Sequence, residues 1–107
     1  MTVVNLTPHK IVVETADGHV EFVPSGNVAR VASRAEAAGE VDGIPVTRTI
    51  FGPVEGLPEP QAGVTFVVSS LVAGRVPNRP DVVAPDTGPT AIRVNGQIVA
   101  VRGFQRF

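Results

Sequence analysis

The chain has 107 residues, nine basic and ten acidic side chains for a net charge of −1, 43% hydrophobic residues and no cysteine. That length reads as a single domain, 1–107, with enough chain to bury a core without a metal or disulfide staple. The balanced charge argues against duplex nucleic acid, which needs a basic surface, and the lack of cysteine excludes disulfides and thiolate chemistry.

Eleven glycines and ten prolines punctuate the chain. Turn formers recurring at about eight to twelve residues are the signature of a strand-dominated domain. Tryptophan and tyrosine are absent, so a stacking platform for single strands is poorly supported. The opening MTVVNLTPHK has no basic start followed by a long apolar core, and no segment reaches membrane-span length; a soluble, cytoplasmic protein is expected.

In chain order, Val3 to Leu6 reads as a short strand broken by Thr7-Pro8-His9, and Ile11 to Glu14 begins the next. With Thr15-Ala16-Asp17-Gly18 as the loop, Ile11 falls opposite Phe22, Val12 opposite Glu21, Val13 opposite Val20 and Glu14 opposite His19. This register puts the apolar residues on one face and the charged ones on the other. Val28 to Ala32 alternates as a strand. Ser33-Arg34-Ala35-Glu36 has capping-box spacing with Gly39 as a stop, so residues 33–39 form either one helical turn or a loop. Asp42-Gly43 is a two-residue hairpin signal, and Pro45 pushes the strand Ile44 to Phe51 toward a sheet edge. Gly52 to Gly63, with three prolines and three glycines, reads as a loop.

Val64 to Pro85 holds the only unbroken apolar run. Val64, Phe66, Val67 and Val68 are apolar on both faces of a strand, the pattern of a central strand covered on two sides. Ser69 and Ser70 then precede Leu71, Val72 and Ala73, which predicts a serine-capped short helix near residues 70–75. Pro77 and Pro80 stiffen the exit, so that Asn78, Arg79 and Asp81 leave the helix in a held polar loop, and Asp81 to Ala84 reads as a strand. Asn95-Gly96 closes a final hairpin, pairing Val94 with Gln97, Arg93 with Ile98 and Ile92 with Val99.

Chemistry is sparse. His9 and His19 are the only imidazoles and lie at opposite ends of a strand, so no metal is expected. Ser69 and Ser70 lack the flanking glycines of a nucleophile elbow, and a capping role is preferred to catalysis. No Walker loop, dinucleotide fingerprint or other cofactor motif is present. One arrangement has a mechanism: free N–H groups at the helix start, beside Arg75, Asn78 and Arg79, offer an anion hydrogen bonds and positive charge. The competing reading is a structural lock in which Arg79 pairs with Asp81.

Asn5-Leu6-Thr7-Pro8-His9, Val41-Asp42-Gly43-Ile44-Pro45-Val46 and Arg79-Pro80-Asp81-Val82-Val83-Ala84-Pro85 resemble motifs of a group of short proteins of actinobacterial genomes, phages and prophages. The likeness covers most of the chain. Where that group carries Arg-Asp before the last hairpin glycine, this chain has Arg93-Val94-Asn95-Gly96. The resemblance implies a phage or mobile-element setting and transfers no catalytic residues.

The expectation is therefore a mostly β, small α+β domain, an antiparallel sandwich or partly open barrel of seven or eight short strands with one short helix. Its expected role is non-enzymatic binding of a small anionic, nucleotide-like ligand by Ser69, Ser70, Arg75, Asn78, Arg79 and Arg93. The alternative is a structural or partner-binding module without such a ligand. A homo-oligomer is expected, because so short a chain has few means to cover its edge strands.

Overall fold

A computed structural model describes residues 2–107. It contains ten strands and one helix: β1 (Thr2–Asn5), β2 (Ile11–Thr15), β3 (Gly18–Phe22), β4 (Arg30–Val41), β5 (Ile44–Glu55), β6 (Val64–Val67), α1 (Ser70–Arg75), β7 (Val82–Pro85), β8 (Ile92–Val94), β9 (Gln97–Ala100) and β10 (Phe104–Gln105). The mostly β class with one short helix at 70–75 holds. The strands number ten, and the sheets do not close into a barrel.

The central sheet runs β1-β6-β7-β10. Its first two pairings, β1 with β6 and β6 with β7, are parallel, and only β10 joins antiparallel. The mixed sheet departs from the expected antiparallel arrangement because α1 sits between β6 and β7 as the crossover that a parallel pair requires. β6 is central, as its apolar run predicts. Phe66 and Val68 pack on one face with Leu6, Val72, Ala73 and Val82, while Val67 packs on the other with Ile11, Val13, Val83 and Val101. Val67 and Val68 are fully buried. Each such side chain contributes roughly 1.5–3 kcal/mol by leaving water.

The β2–β3 register is as the alternation predicts, with Thr15 opposite Gly18 closing the turn. Ile11 and Val13 are buried, whereas Val20 remains half exposed because β3 lies beyond the core. In the last hairpin Val94 meets Gln97 and Arg93 meets Ile98 as expected, but a register shift pairs Ile92 with Ala100 instead of Val99.

Residues 33–39 form neither a helical turn nor a loop. They lie within β4, a 12-residue strand paired along its length with the 12-residue β5. The capping-box spacing is a local preference of a few residues, and the cross-strand ladder overrides it. Gly39, at φ +92°, marks a shift in register between Ala37 and Glu40 and not a helix stop. The tip is the Asp42-Gly43 turn, both residues at positive φ as a two-residue hairpin demands. β5 runs four residues beyond the expected Phe51, so the loop starts at Gly56.

No residue of Arg30–Glu55 is fully buried, and the hairpin forms a two-stranded sheet of its own. Twelve residues at about 3.4 Å each make an arm roughly 40 Å long. The molecule is accordingly elongated, 55 × 37 × 23 Å with a radius of gyration of 16.5 Å; a compact domain of this length has about 13 Å. At the base of the arm Gly56 has φ +80°, and a Cβ there would stand 2.6 Å from the Val28 carbonyl oxygen. Gly56→Ala is expected to cost about 2 kcal/mol, from left-handed strain and this clash, as measured by urea unfolding.

Candidate functional site

The helix α1 separates the residues that the sequence groups together. Ser69, in extended conformation, caps it: its Oγ accepts a hydrogen bond from the Val72 N–H at 3.3 Å. Six residues rise only about 9 Å, too short for a substantial macrodipole. Ser69 and Ser70 line a cleft of about 360 Å³ with His9, Lys10, Ile98 and Val99. Its walls are mostly apolar, and the Lys10 ammonium is committed to Glu21 at 2.7 Å.

Asn78 and Arg79 lie beyond the other end of α1. Arg79 forks onto Asp81, with Nε to Oδ1 and Nη2 to Oδ2 both at 2.8 Å, and Nη2 also donates to the Pro58 carbonyl at 2.9 Å. This planar two-point grip ties the helix exit to the loop after β5, which is the geometry of the lock. The hydrogen bond from Arg79 holds the Asp81 carboxyl below its ordinary range, and the reciprocal bond raises Arg79. Both side chains are largely shielded, 20% and 15% exposed. Among the described residues Nη1 of Arg79 has no acceptor.

Beside this lock is a pocket of about 240 Å³ lined by Asn78, Arg79, Arg106 and Phe107. Arg106 is steered there by β10: Phe104 pairs with Pro85 and Gln105 with Ala84, and the next residue donates Nε to the Pro80 carbonyl at 3.1 Å. Two arginines thus line one pocket, with the head of Arg79 turned to Asp81 and Pro58 at its side. Sequence reading misses Arg106 and Phe107, because only the pairing of β10 with β7 brings them to Asn78.

The remaining candidates lie elsewhere. The Arg75 guanidinium stacks 4.6 Å above the Phe51 ring and so fastens α1 to β5. Arg93, expected among the ligand-binding residues, is folded onto its own turn: Nη2 donates to Thr87 O at 3.0 Å, and Nη1 to Gly88 O and Ala91 O at 3.3 and 3.4 Å. Ser69 with Ser70, Asn78 with Arg79, Arg75, and Arg93 therefore occupy four separate places.

The Asn5-Leu6-Thr7-Pro8-His9 motif is a clasp. Asn5, 2% exposed, donates from Nδ2 to His9 O at 2.8 Å and Phe22 O at 2.9 Å, and its Oδ1 accepts from Thr7 N at 2.9 Å and Thr7 Oγ1 at 2.7 Å. These four bonds fill the capacity of the amide. The clasp holds the turn that carries His9 and Lys10 to their cleft.

Fold and site together define a small, mostly β protein with a two-arginine pocket at the exit of its one helix. No protein-family model, curated protein or solved structure matches the chain. Among the described residues no helix is long and apolar enough to cross a membrane.

Proposed function

We propose that this protein is a non-enzymatic binding protein that takes a small anionic, nucleotide-like ligand in the pocket between Asn78, Arg79, Arg106 and Phe107. The observation that carries this reading is that two arginines, Arg79 and Arg106, line one pocket in a chain of net charge −1. Asp81 and Pro58 hold Arg79 in place before any ligand arrives, which lowers the entropy cost of binding. Asn78 supplies an amide that both donates and accepts, and the half-exposed ring of Phe107 offers a face for a base. With the resemblance to phage and prophage proteins, binding without turnover amounts to sequestration of a small signal in the host cytoplasm.

The test is calorimetry and thermal shift with inorganic phosphate, pyrophosphate and a panel of linear and cyclic nucleotides. At least one probe is expected to bind and to be recovered chemically unchanged. Arg106→Ala is expected to weaken it tenfold or more, about 1.4 kcal/mol, with little loss of stability. Absence of binding across the panel, or wild-type affinity in both Arg106→Ala and Asn78→Ala, overturns the reading.

A second reading, a structural or partner-binding module, draws on the projecting arm. A two-stranded hairpin without a covered face is marginal in water, and this one has no fully buried residue.

A further inference from the structure

The two edges of the arm differ. β5 carries Pro45 and Pro53, which lack the N–H needed to extend a ladder, so its edge is blunted. β4 contains no proline, and among the described residues its only strand partner is β5. Its pairing with β5 is regular from Ser33 to Ala37 and shifts register on either side, between Val31 and Ser33 and between Ala37 and Glu40. The regular stretch is therefore centred on Ala35.

Charge along β4 is arranged around the same centre. Arg30 and Arg34 lie toward the body, and Glu36 and Glu40 toward the tip. An antiparallel copy of the strand, placed with Ala35 opposite Ala35, sets Arg34 against Glu36 and Arg30 against Glu40, twice over by symmetry. It also sets Ala32 opposite Ala38, so the irregular segments meet each other and not the ladder. A shift by one residue in this pairing puts Arg34 against Ala35 and loses the charge matches. Like charges directly opposite would be destabilising, and this register has none.

We propose that two copies of this chain pair through their β4 edges, antiparallel about a two-fold axis at Ala35, joining two arms into one four-stranded sheet. This rests on the partner-binding reading and gives it a partner, a second copy of the chain; it is independent of the arginine pocket. The interface is isologous, the form that closes as a dimer and leaves only the proline-blunted β5 edges outside. Each copy brings the 12 residues of β4 to the seam, which main-chain hydrogen bonds hold as an added strand.

Light scattering and sedimentation of the full chain test the proposal. The wild type is expected to be a dimer or an even-numbered assembly at micromolar concentration. Arg34→Glu leaves two acids facing two acids across the axis, and Glu36→Arg leaves bases facing bases; each is expected to raise the dimer dissociation constant at least tenfold. Both positions are exposed, with side chains 68% and 44% accessible, so the fold should tolerate the changes. Mixing the two variants sets the acid introduced at position 34 of one chain against the base introduced at position 36 of the other. The unaltered Glu36 of the first then faces the unaltered Arg34 of the second, and the dimer is expected to return as a one-to-one complex. A monomeric wild type overturns self-pairing and assigns the arm to a different partner. An oligomer that neither variant weakens, or two weakened variants that do not combine, overturns the β4 register.

Discussion

Asn5→Ala is expected to destabilise the protein by about 3–4 kcal/mol, the largest effect of any single polar substitution in this chain. The amide is 2% exposed and makes four hydrogen bonds, joining β1 to the Thr7–His9 turn and to the end of β3 at Phe22. Truncation removes one side chain and leaves partners on two segments without theirs, and water has little access to replace it. Asn5→Asp is expected to be nearly as damaging: the carboxylate can still accept from Thr7, but it places an acceptor against the carbonyls of His9 and Phe22. Urea unfolding of both variants checks this; an Asn5→Asp protein of wild-type stability would show that the two donated bonds contribute nothing.

Asp81→Asn is expected to cost about 2 kcal/mol at neutral pH, the scale of a charge-assisted hydrogen-bonded pair and less than a fully buried ion pair, because both partners retain some solvent. The pH dependence has a definite sign. The Asp81 carboxyl is lowered in the folded state, so the pair's contribution is fully present above the unfolded carboxyl's value, about 3.9, and is lost as pH falls through the folded value. The raised Arg79 adds no dependence near neutrality, since it is protonated in both states. Unfolding midpoints should therefore fall with acidification below about pH 4 in the wild type and approach those of Asp81→Asn, closing the gap seen at about pH 7. A gap that stays constant down to about pH 2 would mean the charge on Asp81 is not what stabilises the loop. The same substitution frees Arg79, so it should lower both stability and anion affinity, whereas Arg106→Ala should lower affinity alone.

These two clusters mark how much of the chemistry is legible in the residues alone. The Arg79–Asp81 lock is legible because its partners are two residues apart, with prolines that hold the backbone extended. The Asn5 clasp is half legible: Thr7-Pro8 announces a turn, but the bond to Phe22 spans 17 residues. The hairpin pattern puts Arg93 opposite Ile98, as the structure has it, yet its head turns back to the carbonyls of Thr87, Gly88 and Ala91, which no alternation pattern reports. Arg75 reads as a pocket residue from its place at the end of α1, and the arm supplies Phe51 to hold it.

The features that the residues alone dictate are short-ranged: the Asp42-Gly43 and Asn95-Gly96 turns, the β2–β3 register, the Ser69 cap and the two-sided burial of β6. Each follows from backbone angles or side-chain periodicity within about a dozen residues, where sterics leave few choices. The parallel pairing of β1 with β6, the extension of β4 through a segment with helix-start spacing, and the return of β10 to β7 arise only when distant segments meet. These depend on which distant segments bury most apolar surface together, a sum over the whole chain that no local pattern contains. The arginine pocket is of this second kind, since Arg106 reaches Pro80 across 26 residues. The β4 edge combines both: its charges are written in sequence order, but only the ladder with β5 makes them the edge of a sheet.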